Sequence, residues 1–356
     1  MNKKNLSKLR EEIDRLDRGI VDLLNARGRI SSGIGEIKKS SKQPIYSSDR
    51  ESFVYRTIGK NNSGPLKNES LRAIYREIMS ACLALEHPLI VAYLGPEFTF
   101  THQASLKKFG SSVSYLSCDS ITDVFGEVEK GNADYGVVPI ENSIEGAVSH
   151  TMDMFVNSPL LICAESYMRI KHSFLSKASG LKSIKKIYSK PEVFGQCRKW
   201  LEKSMPWARL RDAASTVKAA EIASHSGSSA CIASVLAAGK YGLKVLASDI
   251  EDAPDNMTRF LVIGKNMGKV SHEDKTSIMF SVKDRPGVLH DMLTSFKKRG
   301  INLTKIESRP SKMKAWKYYF FLDMEGHCED GKLKNALHEL GRKCDFVKIL
   351  GSYPKA

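Results

Sequence analysis

"LDRGIVDLLNARGRI", residues 16–30, decides how the first quarter of the chain folds. Its apolar residues belong to a longer series at helical spacing: Leu6, Leu9, Ile13, Leu16, Ile20, Leu23, Ile30, Ile34 and Ile37. The spacing predicts one amphipathic helix from about Leu6 to Lys39. The beat between Leu23 and Ile30 falls on Arg27, a core-facing position given to a charge that cannot be neutralised. A side chain snorkelling to the surface is the plain explanation. Two neighbours argue for another. Lys38 lies about three turns further along the same face, and Arg50 and Glu51 open a second helix in "PIYSSDRESF". Clustered charges of this kind can be compensated together by an anionic ligand.

Working outward, a third helical segment, "ESLRAIYREIMSACLALE", runs up to the break at His87-Pro88. From "LIVAYLG" onward, short β-rich runs ("VSYLSC", "YGVVPI", "LLICAES", "KIYS", "RFLVIG") alternate with helical stretches such as "SITDVFGEVEKG" and "PEVFGQCRKWLEK". That alternation predicts an α/β architecture. The polar stretch "GKNMGKVSHEDK" reads as a linker. After it, "TSIMFSV", "GVLHDMLTSFKKRG", "INLTKIES", "WKYYFFLDM", "GKLKNALHELGRK" and "DFVKILGS" give strand, helix, strand, strand, helix, strand, the split βαβ order of a ferredoxin-like module. Three domains are expected: all-α over 1–89, α/β over 90–267, and α+β over 275–356.

Composition narrows the function classes. At 356 residues the chain is long enough for several cores. No apolar run reaches the length of a membrane span, and the opening "MNKKNLSKLREEID" turns acidic and amphipathic where a signal peptide needs an apolar stretch. Seven scattered cysteines without a C-x-x-C pair fit a reducing cytoplasm. The formal charge of +15 is interleaved with acids and lacks a basic arm or aromatic stacking motif, which argues against nucleic acid. Small anionic substrates suit the same background. "GIGEIK" at 33–38 lies inside a helical pattern and lacks the third glycine of a dinucleotide fingerprint, so a nicotinamide enzyme is disfavoured.

The segments "LREEIDRLDRGIVDLLNARGRISSGIGEIKK", "PIYSSDRES" and "IYREIMSACLALE" together resemble the all-helical class of chorismate mutase over the first ninety residues. The resemblance implies that Arg10, Arg27, Lys38 and Glu51 line a pocket between helices, with Arg10 reaching in from a second protomer, and that Ser47, Arg50, Cys82 and Glu86 complete it. The implied reaction, chorismate to prephenate, is pericyclic and needs no nucleophile, metal or cofactor. Cations can hold two carboxylates in a near-attack conformer and stabilise charge building on the ether oxygen. Ser47 stands where well-known members carry aspartate, and Cys82 where they carry serine. Glu86 falls where members carry glutamine or glutamate, one turn from Cys82 on the same helix face. A glutamate donates to an ether oxygen only when protonated, so mutase activity is expected to fall as pH rises, and Glu86→Gln to flatten the profile.

Polar clusters close three strands of the middle segment: "YLGPEFTFTHQAS", "ADYGVVPIENSIEGAV" and "APDNMTRFLVIG". Strand ends are where α/β proteins build sites. Together these motifs resemble prephenate dehydratase across 90–265, a two-lobed fold like a periplasmic binding protein. The resemblance implies loss of carbon dioxide and the ring hydroxyl from prephenate, giving phenylpyruvate. Thr258 would hydrogen-bond or protonate the leaving hydroxyl, while Asn142, Ser143, Ser189 and Gln196 position the substrate. In the Thr258-Arg259-Phe260 motif, Arg259 either faces a carboxylate or braces the lobe. Phe98 stands where the family usually has glycine, which suggests a special backbone angle or a close approach that a phenylalanine would strain or block.

The last eighty residues resemble an ACT domain. "DRPGVLHDML" and "INLTKIESRPSK" imply a phenylalanine site, commonly between subunits, from Gly287, Val288 and Leu289 with Glu307, Ser308, Arg309 and Pro310. Val288 replaces a common alanine. The three resemblances imply that the first site's product is the second site's substrate, in a chain forming a homodimer or higher oligomer. Two other readings are a phenylalanine-regulated dehydratase whose helical domain only dimerises, and an amino-acid-sensing binding protein without turnover.

Overall fold

The computed structural model describes residues 3–41, 43–283, 285–310 and 318–356. The chain divides into two compact units: residues 1–90 together with 108–114, and the remainder.

In the first unit, the long amphipathic pattern forms α1 (Lys3–Ser41), followed by α2 (Ser48–Asn61) and α3 (Asn68–Glu86). Ser47 caps α2, its Oγ accepting from Arg50 N. α1 packs along α3. At Gly35 any Cβ would lie 2.7 Å from Glu86 O, so the glycine of "GIGEIK" is there for close helix packing. The apolar stripe departs from expectation. Leu6, Leu9, Ile13, Leu16, Ile20, Leu23, Ile30 and Ile37 are each more than half exposed. Among the described residues the stripe therefore packs on no core of its own chain, and Arg27 is half-buried at its edge.

Among the described residues, the second unit carries three sheets. In the first lobe run β1 (Ile90–Leu94), α4 (Phe100–Phe109), β2 (Ser114–Cys118), α5 (Ile121–Lys130), β3 (Tyr135–Asn142), β4 (Gly146–Ala147), α6 (Ser149–Asn157) and β5 (Leu161–Arg169). The second lobe is inserted next. It comprises β6 (Ser173–Ser176), β7 (Lys186–Ser189), α7 (Pro191–Gln196), α8 (Arg198–Ser204), β8 (Arg209–Asp212), α9 (Thr216–Ser224), β9 (Ser229–Ala233), α10 (Leu236–Tyr241) and β10 (Lys244–Ala247). The chain then returns as β11 (Met257–Gly264). The lobe sheets have orders β2-β1-β3-β11-β5, with β4 on β3, and β10-β6-β9-β7-β8. Two connections, 170–172 and 248–256, join the lobes, as in a hinged two-lobed fold.

The third sheet has order β13-β14-β12-β15. It is built from β12 (Asp274–Ser281), α11 (Val288–Lys297), β13 (Leu303–Pro310), β14 (Tyr318–Glu325), α12 (Gly331–Gly341) and β15 (Phe346–Pro354), the expected ferredoxin-like order. Asp284 of the "DRPG" motif, Ser311-Lys312 after Pro310, and the first two residues of "WKYYFFLDM" lie outside the described residues. This sheet and the first lobe belong to one compact unit. A Cβ at Gly351 on β15 would stand 2.2 Å from Ile162 O on β5, a contact only glycine permits.

Candidate functional sites

The helical unit collects most of its expected residues along one line of contacts. Arg27 Nη1 points at Cys82 Sγ, buried on α3. Lys38 Nζ donates to Glu86 Oε2 at 2.8 Å and to Ile45 O at 2.6 Å. Tyr46, next in sequence, donates its hydroxyl to Glu51 Oε2 at 2.7 Å. In this geometry Glu86 accepts from the Lys38 ammonium. A carboxylate against a lysine serves as its counter-charge. Ser47 is occupied as the cap of α2 and donates to Asp49 Oδ1 at 2.8 Å. Arg50 is exposed, its guanidinium stacked 4.9 Å above the Phe53 ring, and does not join the line. Arg10 is exposed on α1. Helix geometry places it roughly 25 Å from Arg27 along the axis, beyond reach of its own chain's pocket.

The cleft between the two lobes gathers a second cluster. β-sheet register sets Thr258 directly opposite Asn142, and the side chains meet, Asn142 Nδ2 donating to Thr258 Oγ1 at 2.8 Å. The amide cannot be turned round. Its Oδ1 accepts from the backbone N–H groups of Ile144 and Glu145 at 2.9 and 3.0 Å. Because Thr258 Oγ1 already accepts a hydrogen bond, its own proton is left to be donated elsewhere. Asn142 also donates to Asn256 Oδ1 at 2.7 Å. From the second lobe Gln196 donates to Glu145 Oε1 at 2.5 Å, and its Oε1 lies 2.7 Å from His172 Nε2. Burial pushes the His172 imidazole below its ordinary pKa despite that hydrogen bond, so the ring is neutral near pH 7. Ser143 stitches the rim, its Oγ accepting from Met257 N at 2.9 Å.

Phe98 adopts the left-handed conformation expected of the usual glycine, with φ 70°. A non-glycine residue there costs roughly 1–2 kcal/mol. Local contacts offset the strain: Phe98 N donates to His102 Nδ1, Ser234 Oγ of the second lobe donates to Phe98 O, and Lys240 lies over the ring.

Three expected residues stand elsewhere. Ser189 is fully buried and donates its hydroxyl to Ile232 O at 2.8 Å, tying β7 to β9. Phe260 is 2 % exposed and belongs to the core. Arg259 faces away from Thr258, since successive strand residues point to opposite faces. Its guanidinium donates to Glu165 Oε2 at 2.8 Å, Asp323 Oδ2 at 2.5 Å and Tyr353 OH at 2.9 Å. Burial opposes the charge, but Tyr353, Asp323 and Glu165 together raise its pKa above the ordinary value. Lys275 joins Glu165 at 2.8 Å, so two cations meet two carboxylates. Of the two roles left open for Arg259, the geometry supplies the brace. Apolar strands that carry isolated charges, "LLICAES" and "YYFFLDM", were the available signal for Glu165 and Asp323. Asn256 was within reach too, two residues before Thr258.

In the ferredoxin-like module, Gly287 has φ 76° and caps α11, while Val288 and Leu289 pack on the module's core. Glu307, Ser308, Arg309 and Pro310 end the edge strand β13. Arg309 pairs with Asp153 of α6 at 3.2 Å. Among the described residues, no hydrogen bond or ion pair joins the Gly287 turn to this strand end.

A family model of chorismate mutase type II matches residues 9–87, one of prephenate dehydratase matches 91–268, and one of the ACT domain matches 276–342. The chain is 50 % identical to the "Bifunctional chorismate mutase/prephenate dehydratase" of Aquifex aeolicus, over 99 % of this chain and 98 % of that protein. It is 44 % identical to the protein of that description from Stutzerimonas stutzeri, over the same shares. A crystal structure of prephenate dehydratase from Arthrobacter aurescens in complex with L-Phe superposes with a TM-score of 0.71 at 32 % identity, covering 75 % of this chain and 90 % of that one.

Proposed function

Given that the chain belongs to the bifunctional chorismate mutase/prephenate dehydratase family, we propose how its residues divide the work. The protein converts chorismate to prephenate and prephenate to phenylpyruvate, under phenylalanine control through its ACT domain. In the first step, Arg27, Lys38 and the partner subunit's Arg10 hold the substrate carboxylates in a compact conformer. The Lys38 ammonium donates to the ether oxygen as its bond to carbon breaks. The exposed leucine–isoleucine stripe of α1 supports a homodimer in which a second copy covers it. The seven unpaired thiols support a cytoplasmic protein.

In the second step, the carboxylate carbon–carbon bond breaks, its electrons flow into the ring, and the ring hydroxyl departs as water with one added proton. Oxidation states balance without an oxidant. Thr258 faces that hydroxyl with its proton, because Asn142 occupies its oxygen from the other side. The observation that carries this reading is the opposed Asn142–Thr258 pair, reached from the second lobe through Gln196 and Glu145. Feeding chorismate alone and following prephenate and phenylpyruvate tests the whole reading. Phenylpyruvate should form through prephenate and be suppressed by phenylalanine. Prephenate accumulating without phenylpyruvate would point at Phe98 and a silenced second site.

A further inference from the structure

The chorismate mutase resemblance puts Glu51 in the mutase pocket, and the inference here rests on that assignment, yet the partner of Glu51 lies outside the helical segment. Its carboxylate Oε2 is 2.6 Å from Lys108 Nζ, with 12 % and 17 % of the two side chains exposed. The same ammonium stands 5.8 Å from the centre of the Tyr46 ring, and Tyr46 donates its hydroxyl to that same Oε2. Lys108 is anchored there. Phe109 packs 5.1 Å from Tyr46, Ser112 N donates to Ser80 Oγ at 3.0 Å, and Ser111 binds Glu77 through both its N–H and its hydroxyl. At Gly110, φ 74°, a Cβ would meet Ser80 at 2.5 Å. Residues 108–114 are thus part of the helical unit, although the chorismate mutase match ends at residue 87.

From this geometry we propose that Lys108 is a positioning residue of the mutase site. Chorismate carries two carboxylates, and an uncompensated glutamate in its pocket would repel them. Lys108 cancels that charge and, with Tyr46, holds the Glu51 carboxylate in one orientation, leaving its Oε1 to meet a substrate hydroxyl. The partner is present only in a chain that continues past the mutase segment.

The test uses the full chain and both activities. Lys108→Met should raise the KM for chorismate about tenfold, equivalent to about 1.4 kcal/mol, with kcat changed less than threefold. Lys108→Arg should restore KM to within threefold. Combining Lys108→Met with Glu51→Gln should give a lower KM than Lys108→Met alone, because the repelling charge is gone. Prephenate turnover, measured on the same samples, should match wild type and so report an intact fold. An unchanged KM in Lys108→Met, where Glu51→Ala impairs the mutase, would overturn the proposal while sparing the pocket assignment. If Glu51→Ala has no effect either, the pocket assignment itself falls and the proposal with it. Parallel loss of both activities, unrelieved in Lys108→Arg, would reduce Lys108 to a structural strut.

Discussion

In the helical unit the Lys38–Glu86 and Glu51–Lys108 pairs keep between 9 and 20 % of their side-chain surfaces open. In the second unit Arg259 and Glu165 keep 5 and 1 %. Both sets are charged residues set among apolar neighbours. In the proposed mutase site, the open pairs are neutral counter-sets that a substrate's carboxylates can enter, exchanging one partner for another. The sealed pairs have no such exchange available, and their desolvation is recovered only by mutual contact. On the proposed reading, charge in an apolar pattern marks a binding pocket in one unit and a structural brace in the other.

Arg259→Leu should have the largest effect. It strands Asp323 and part of Glu165 in the interior, and removing one member of a buried pair costs ~3–5 kcal/mol. Thermal unfolding of the second unit should fall accordingly, and unchanged unfolding would show that the pair is not sealed. Next in size, Thr258→Val should lower dehydratase kcat by about 10²–10³, the usual cost of losing one donor to developing charge, while mutase turnover stays at wild type. A dehydratase that keeps its rate would move the proton donor elsewhere in the cleft.

A smaller effect is expected where the brace meets the regulatory sheet. Lys305 of β13 pairs at 2.8 Å with Glu141, the residue before Asn142. Lys305→Met should leave basal dehydratase turnover in place and raise the phenylalanine needed for half-inhibition by roughly three- to tenfold, within the ~1–3 kcal/mol range of allosteric coupling. Dose–response curves on prephenate read this directly. The smallest effect concerns His172, whose folded-state pKa is lowered by burial. Below about pH 6.5 the unfolded chain takes up a proton there that the folded chain does not. Stability should therefore fall as pH drops through that range, more steeply in wild type than in His172→Gln. Parallel pH slopes in the two proteins would place the ring in contact with solvent.

The sequence itself determined the element types, because each follows from local rules: the helical period of residues 6–37, the strand runs from "LIVAYLG" to "DFVKILGS", and the caps and breaks between them. It also pointed to a special position at Phe98, where the structure shows the left-handed angle. Tertiary structure decided which way the chemistry-bearing groups face. Arg259 and Thr258 are neighbours in sequence, and only the place of β11 between β3 and β5, with Asp323 and Tyr353 of the ACT sheet against its other face, sends one to a brace and the other to the cleft. The exposed stripe of α1 is identical in sequence terms to a core-facing one, since periodicity records amphipathicity and not what covers it. Lys108 is the furthest case. Fifty-seven residues separate it from Glu51, and no spacing rule spans that distance, because such contacts are made by packing after the local elements have formed.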